Sequence, residues 1–169
     1  MPRLLDYRRK RDFKKTKEPS GIRSRPKTKA TFVVQQHSAR RLHWDFRLAV
    51  DGVLKSWAVT KEPSLDPAIR RLAVETEDHP LDYAKFHGDI PTGEYGAGHV
   101  SIWDHGSYCC EDSLAEEIER GKVRVVLHGR KLKGAFVLVR IRTEGNRPPQ
   151  WLLFKAKSQA VGIRFKKSA

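Results

Sequence analysis

Residues 42–50 alternate with a period of two, which is typical of a β-strand with two different faces. One face would carry Leu42, Trp44, Phe46, Leu48 and Val50, and the other His43, Asp45, Arg47 and Ala49. The Asp51-Gly52 pair that follows is a strong signal for a two-residue hairpin turn, and residues 53–59 have the composition of the returning strand. The pattern therefore predicts the start of an antiparallel sheet.

Short segments rich in β-branched and aromatic residues follow one another along most of the chain, and Gly or Pro separates most of them. Besides the first hairpin, strands are predicted at 31–36, 71–77, 99–104, 122–127, 135–142 and 151–155. A helix is predicted at 113–120, because Ser113 and Glu116 form a capping box and Gly121 suits the C′ position. Seven or more short strands with one or two short helices predict an all-β barrel or sandwich.

The formal net charge of +14 lies at the two ends of the 169-residue chain. Residues 1–30 carry nine net positive charges and residues 151–169 carry five, whereas residues 31–150 are neutral. We therefore predict a basic N-terminal arm at 1–30 that is extended or mobile over 18–29, one domain at 31–158, and a basic C-terminal tail at 159–169. Such ends suit a polyanionic partner, although tails that only aid solubility have the same composition.

Neither the membrane nor an oxidising compartment is indicated by the sequence. No apolar run approaches the roughly 20 residues of a membrane-spanning helix, and the first residues lack the apolar stretch and cleavage site of a signal peptide. Cys109 and Cys110 are adjacent, so they form neither a disulfide framework nor a set of spaced zinc ligands. We expect a cytoplasmic protein with two reduced thiols.

Two histidines and one aspartate would meet if strand 31–36 pairs with strand 42–50 through the short turn at 38–41. His37 would then lie across the turn from His43, and Asp45 would share the face of His43. Two imidazoles and one carboxylate suit zinc, manganese or ferrous iron and leave positions open for water or substrate. Arg47 on the same face would neutralise a bound oxyanion, which favours a phosphate substrate. The alternative is that this row is only the wet side of an exposed strand.

A second polar cluster spans residues 75–83, and a Gly-rich segment follows at 91–98. His79 precedes Pro80, which favours extended backbone at a strand end, and Tyr83 would lie nearby if the chain turns. The Gly-rich segment lacks the Lys-Ser/Thr of a P-loop, so we interpret it as a tight turn that brings the backbone close to another group. Local contacts would explain His79 and Tyr83 equally well.

Five long motifs occur in fixed order in the body of the chain: Phe32-Val-Val-Gln-x-His37, Arg40-Arg-Leu-His-x-Asp-Phe-Arg-Leu48, Leu54-Lys-Ser-Trp-Ala-Val59, Glu77-Asp-His-Pro-Leu-Asp-Tyr83 and Ile90-Pro-x-Gly-x-Tyr-Gly-Ala-Gly98. Two more lie in the arm, Tyr7-Arg-Arg-Lys-Arg-Asp-Phe13 and Thr16-x-Glu-Pro19. With these motifs the chain resembles the 3′-phosphoesterase domain of bacterial DNA ligase D over nearly its whole length. No ligase or polymerase module accompanies them, so we expect a stand-alone enzyme or an excised domain.

The resemblance implies a compact, mainly antiparallel β-barrel that heals DNA 3′ ends in nonhomologous end joining. The enzyme would remove a 3′-terminal ribonucleotide in a phosphodiesterase step and then the 3′-phosphate in a phosphomonoesterase step. It would use a divalent metal, typically Mn²⁺, with Zn²⁺ or Co²⁺ as alternatives in the same site. Its substrate would be a DNA or RNA–DNA 3′ end at a primer-template junction. We expect a monomer that works beside a separate ligase and polymerase, away from the membrane.

The resemblance also assigns roles to residues at the matching positions. Metal ligation is implied for His37, His43 and Asp45, and contact with the scissile phosphate for Arg47, His79 and Tyr83. Support of the pocket is implied for Gln35, Lys61 and Arg71, and a place in the active site for Arg11, Asp12 and Glu18. In this scheme His79 could protonate the leaving group, and the group that activates water stays open.

Two other functions fit parts of the pattern. A ferrous oxygenase would use His43, Asp45 and a later histidine, such as His99 or His128, as its two-histidine, one-carboxylate triad, and it would not need His37. A basic module that binds DNA ends without turnover would use its histidines only structurally. Consumption of oxygen would identify the first alternative, and binding without turnover would identify the second.

Overall fold

The computed structural model describes residues 4–21 and 28–157. Its helices are α1 (Leu5–Arg9) and α2 (Leu114–Arg120), with a 3-10 helix at Leu81–Lys85. Its strands are β1 (Thr31–Ser38), β2 (Leu42–Val50), β3 (Val53–Val59), β4 (Arg71–Pro80), β5 (Gly88–Ile90), β6 (Gly98–Cys109), β7 (Lys122–His128), β8 (Lys133–Arg140) and β9 (Gln150–Lys155). Within these described residues, no helix has the length and apolar character needed to cross a membrane.

Eight of the strands close into an antiparallel barrel. They are hydrogen-bonded in the order β1-β2-β3-β4-β9-β8-β7-β6, and the pairing of β6 with β1 completes the circle. The short strand β5 pairs only with β6. Closure removes the free edges that an open sheet would expose. The strand pattern alone fitted either a barrel or a sandwich, and the structure is a barrel.

The barrel interior is filled by apolar side chains from all eight barrel strands. Phe46 and Leu48 of β2 are fully buried there, and Trp57 packs edge-to-face on Trp151 with ring centroids 5.7 Å apart. The apolar face predicted for residues 42–50 therefore lies inside the barrel, except at its first residue. Leu42 is 45% exposed, because it precedes the part of β2 that packs on the core.

The opposite face of β2 is also covered. A second apolar cluster lies over it and contains Tyr7 from α1, Tyr83 from the 3-10 helix, and Ala49 and Leu54 from β2 and β3. As a result, Asp45 and Arg47 on this face are almost inaccessible to water, whereas His43 stays partly exposed. The alternation of β2 thus separates two interiors, an apolar one and one that contains the polar cluster.

The predicted elements are confirmed with small shifts in their ends. Strands β2 and β3 have the predicted bounds, β4 and β6 are longer, and β8 begins and ends two residues earlier than predicted. In α2 the Ser113 hydroxyl accepts a hydrogen bond from the Glu116 amide, and Gly121 ends the helix with φ +83°. No local pattern predicted α1, which buries only Tyr7, or β5, which has three residues.

The segment predicted to be extended or mobile over 18–29 contacts the rest of the protein at its start. Glu18 is 4% exposed, the Tyr7 hydroxyl donates to the carbonyl of Pro19, and Arg8 donates to the carbonyls of Ser20 and Gly21. These contacts fix the arm on the barrel up to residue 21. The rest of the predicted mobile stretch falls largely on residues 22–27, and the predicted tail at 159–169 likewise lies outside the described residues.

A buried carboxylate stabilises one end of the barrel. Asp104 is 3% exposed and accepts hydrogen bonds from the amides of Arg130, Lys131 and Leu132. We expect Asp104→Ala to lower the free energy of unfolding by about 3 kcal/mol, because three backbone amides, one of them buried, lose a charged acceptor. Urea denaturation measures the loss. The control Asp89→Ala removes an 86%-exposed acid and should cost less than about 1 kcal/mol; equal losses would contradict the prediction.

Candidate functional site

The pairing of β1 with β2 places His37 directly opposite His43. Their ring centroids lie 4.7 Å apart. The Oδ2 atom of Asp45 lies 3.5 Å from His37 Nδ1 and 3.3 Å from His43 Nε2. One potential ligand atom from each of the three residues lies within 4.8 Å of the others, so the three could hold one metal ion. The convergence predicted from strand phase and turn length is present.

The hydrogen bonds of the two imidazoles determine which ring nitrogens are free. His37 Nε2 lies 2.6 Å from the carbonyl of Gly96, and His43 Nδ1 lies 3.0 Å from the carbonyl of Arg41. A carbonyl only accepts, so these two nitrogens carry the protons and donate. In the neutral form of each ring, the form that binds a metal, the lone pairs are then on His37 Nδ1 and His43 Nε2, the two atoms that face Asp45. Backbone carbonyls that orient histidines in this way are typical of metal sites.

The Gly-rich segment predicted to bring its backbone close to another group does so at β1. Gly96 has φ +75°, and a Cβ atom there would lie 3.3 Å from His37 Cε1. Gly98 has φ +143°, and its Cβ would lie 2.0 Å from the carbonyl oxygen of Ser38. Only glycine allows this approach, which brings the Gly96 carbonyl within hydrogen-bonding distance of His37.

Asp45 is ionised although it is buried. Burial alone would raise the pKa of its carboxyl, but the Arg47 guanidinium and the contacts with His37 and His43 outweigh burial and hold the pKa well below its usual range. Burial would lower the pKa of His43, yet its interaction with Asp45 raises that pKa above the usual value. The cluster therefore offers a full negative charge to a cation.

Arg47 is a buried cation with one unsatisfied nitrogen. It is 3% exposed, its Nε donates to Gln35 Oε1 at 2.7 Å, and its Nη2 lies 3.4 Å from Asp45 Oδ2. Gln35 is itself fixed, since its amide donates to the carbonyls of Tyr83 and Phe86. No hydrogen-bond partner of Arg47 Nη1 exists among the described residues. An unpaired guanidinium nitrogen in a rigid setting indicates a position for an anion.

His79 lies in the same cavity as a neutral imidazole. It is 4% exposed, and its Nδ1 donates to the carbonyl of Glu77 at 2.8 Å. Burial, together with the positive charges of Arg47 and Arg11, holds the pKa of His79 well below its usual range. Its Nε2 therefore carries a lone pair, and it lies 3.4 Å from Arg11 Nη2.

The N-terminal arm forms one wall of the site. Arg11 donates from Nε to Glu18 Oε2 at 2.9 Å and from Nη1 to Glu77 Oε1 at 3.2 Å. Glu18 also accepts from the hydroxyls of Thr16 and Tyr83. Burial raises the pKa of Tyr83, and Glu18 adds to this effect against the opposing charge of Arg47, so the phenol stays protonated. Glu18 of the arm and Glu77 of β4 thus hold the Arg11 cation in place.

A cavity of about 300 Å³ collects most of the predicted residues. Seven of them line it: Arg11, His37, His43, Asp45, Arg47, His79 and Tyr83. Gln35 and Glu18 lie one hydrogen bond behind the lining. The cavity is also lined by Glu77 and Tyr95, which received no role from the sequence. Their only signal was membership of the motifs 77–83 and 90–98.

The three other predicted residues lie neither in the lining of this cavity nor directly behind it. Asp12 has a 48%-exposed side chain that accepts from the Lys14 amide, and Lys61 is exposed. Arg71 lies at the start of β4, whereas His79 lies near the end of the same strand. The Arg71 Nε donates to the carbonyl of Glu62, and both residues line a different cavity. Their roles in the reaction stay predictions.

The triad expected for an oxygenase does not form. His99 Nδ1 lies 2.8 Å from Asp89 Oδ1, and His128 Nε2 lies 3.7 Å from Cys109 Sγ. Within the part of the chain that the structure describes, neither histidine joins His43 and Asp45 in a group able to hold a metal. The third residue of the group is His37, which precedes the pair.

Comparison with known proteins agrees with these findings. The sequence model of the DNA ligase D 3′-phosphoesterase domain matches residues 35–140. The chain is 52% identical over 156 residues to the multifunctional non-homologous end joining protein LigD of Pseudomonas aeruginosa. This match covers 91% of the chain and 18% of that protein. It is 50% identical over 159 residues to the multifunctional non-homologous end joining DNA repair protein LigD of Mycobacterium tuberculosis. This match covers 93% of the chain and 20% of that protein. The multifunctional non-homologous end joining protein LigD of Mycolicibacterium smegmatis is 47% identical over 165 residues. This match covers 93% of the chain and 21% of that protein. The chain thus spans about a fifth of these relatives.

Proposed function

The chain belongs to the DNA ligase D 3′-phosphoesterase domain family, and on this basis we propose that it is a metal-dependent enzyme that prepares DNA 3′ ends for joining. It removes a 3′-terminal ribonucleotide in two steps: phosphodiester hydrolysis releases the ribonucleoside and leaves its phosphate on the 3′ end, and a second hydrolysis then removes this 3′-phosphate. The product is a 3′-hydroxyl, which a DNA ligase or polymerase requires. The proposed substrate is a DNA or RNA–DNA 3′ end, and the basic ends of the chain suit its phosphate backbone.

One observation carries this proposal: buried Arg47, which has an unpaired nitrogen, lines the same cavity as the His37-His43-Asp45 group. A phosphate ester carries its charge on nonbridging oxygens, and hydrolysis requires that this charge be neutralised. Asp45 alone would repel the ester, so a cation between them is needed for the two anionic groups to coexist. The donor set of two imidazoles and one carboxylate suits Mn²⁺, the metal we propose, and also Zn²⁺ and Co²⁺.

The roles of the other groups follow from their protonation states. When bound, the divalent metal would supply Lewis-acid polarisation of the phosphoryl group. Arg47 donates to a nonbridging oxygen through its free nitrogen, and Gln35 keeps the guanidinium oriented. His79 is neutral before the substrate binds, and a phosphate beside its Nε2 would raise its pKa, which suits a group that later protonates the leaving oxygen. Tyr83 stays protonated and donates its one hydroxyl proton to Glu18, so it would have to leave Glu18 to donate to the phosphate.

The proposal is tested with a 5′-labelled primer-template that ends in a 3′-phosphate or in a 3′-ribonucleotide, incubated with and without Mn²⁺. We expect conversion of both ends to a 3′-hydroxyl only when the metal is present, because the ester's charge otherwise faces the Asp45 carboxylate. A matched duplex with a 5′-phosphate is the control and should release phosphate far more slowly. Equal rates at both kinds of end, or turnover in the presence of a chelator, would overturn the proposal.

A further inference from the structure

Tyr95 places an aromatic ring at the rim of the cavity, and this ring has no role in the proposed hydrolysis. The residue lines the cavity and is 49% exposed. Among the Phe, Trp and Tyr residues that the structure describes, only Tyr95 is exposed to solvent rather than buried or partly buried. Every other aromatic residue near the site is wholly or partly covered, including Tyr7 and Tyr83. An exposed ring beside a polar cavity is a candidate surface for a ligand.

The loop that carries Tyr95 is fixed to the metal-ligand group. The amides of Glu94 and Ala97 donate to the carbonyls of Pro91 and Glu94, which forms two consecutive turns. The next carbonyl along the chain from Tyr95, that of Gly96, accepts from His37 at 2.6 Å. A molecule that stacks on the Tyr95 ring would therefore lie at a fixed place relative to the cation and phosphate positions.

Two cations of the arm lie beside the same ring. Lys10 Nζ is 4.9 Å and Arg11 Cζ is 5.4 Å from the ring centroid. Lys10 also lies 3.1 Å from Glu77 Oε2, and its side chain is 42% exposed at the rim. The rim thus combines a π-face with an accessible positive charge, which is the combination that binds a strand through its bases and its backbone.

We infer that Tyr95 is the stacking surface for the nucleobase of the nucleoside whose 3′ oxygen carries the phosphate. This inference rests on the proposed function and adds to it the part of the substrate that the site recognises besides phosphate. The retained strand leaves the cavity over the rim, with its last base on Tyr95 and its backbone near Lys10. The same base is present in both hydrolytic steps, so the ring serves both.

The inference is tested by removing the ring and the base separately. Wild type, Tyr95→Ala and Tyr95→Phe are assayed on a 3′-phosphate end with its normal last base and on a matched end whose last nucleoside is abasic. On the normal end Tyr95→Ala should raise KM roughly tenfold with little change in kcat, and Tyr95→Phe should stay within about twofold of wild type, because stacking needs only the ring. On the abasic end all three proteins should have similar KM values.

An equal loss for Tyr95→Ala on both ends would overturn the inference, because the ring would then act without the base. A loss confined to 3′-ribonucleotide ends would also overturn it, since the ring would contact the leaving nucleoside instead. Thermal melting of the three proteins should agree, as expected for an exposed side chain.

A binding measurement separates this inference from the proposed function. A duplex with 2-aminopurine as its 3′-terminal base reports stacking through quenched fluorescence and needs no turnover. Wild type and Tyr95→Phe should quench it, and Tyr95→Ala should not. Quenching without hydrolysis would leave the stacking surface intact and refute the enzyme, whereas hydrolysis without quenching would refute only the stacking surface.

Discussion

Replacing His43 with alanine is expected to abolish metal binding and 3′-end hydrolysis while the barrel stays folded. The substitution removes the lone pair on Nε2, one of three potential ligand atoms grouped within 4.8 Å. Loss of a residue that only orients a ligand costs 10- to 100-fold, so loss of a ligand should lower kcat/KM by more than about 100-fold. Calorimetric titration with Mn²⁺ measures binding, and phosphate release from a 3′-phosphate end measures activity.

The control is His99→Ala, which removes an imidazole of another barrel strand with a 59%-exposed side chain. It should bind Mn²⁺ and turn over like wild type. Both variants should melt within about 4 °C of wild type, because neither side chain lies in an apolar cluster. Unchanged metal-dependent turnover in His43→Ala would refute the ligand assignment. Loss of activity in His99→Ala alone would restore the oxygenase interpretation.

The convergence of His37, His43 and Asp45 was predictable because local rules determine it. The period of two in residues 42–50 fixes which side chains share a face, and the Asp51-Gly52 turn fixes the hairpin. The short turn at 38–41 then sets the register that pairs His37 with His43. Ligand atoms only a few residues apart along the chain need no knowledge of the rest of the fold.

The arm was not predictable from local pattern, because its contacts span the sequence. Arg11 bonds to Glu77, 66 residues away, and Tyr83 bonds to Glu18, 65 residues away. Periodicity cannot detect a five-residue helix with one buried side chain, and composition suggests only a basic clamp. The resemblance to a family pointed to Arg11 and Glu18 because it compares whole motifs. It gave no reason for an acid in so basic a segment, whereas the structure shows one.

Glu18→Gln is the second change for which we expect a large effect. The Glu18 side chain is 1% exposed and pairs with Arg11, whose side chain is 5% exposed. The substitution removes one of the two carboxylates that pair with buried Arg11 and leaves it only Glu77, so the free energy of unfolding should fall by about 3 kcal/mol. Arg11 would shift relative to His79, and a displacement of about 1 Å in an active site can cost about 100-fold in rate. Urea denaturation and single-turnover phosphate release measure the two effects.

The matched control is Asp6→Asn, which removes the same charge from the same arm at a 71%-exposed side chain. Both variants make the arm one charge more positive, so neither should bind DNA more weakly than wild type at a given salt concentration. If the arm acted only as an electrostatic clamp, the two would behave alike, and hydrolysis at saturating DNA and Mn²⁺ would be unchanged in both. Glu18 holds two residues of the cavity wall, Arg11 and Tyr83, in place. We therefore expect the rate of hydrolysis after DNA binding to fall in Glu18→Gln but not in Asp6→Asn. Wild-type turnover in a folded Glu18→Gln protein would reduce the arm to a tether and remove Arg11 from the reaction.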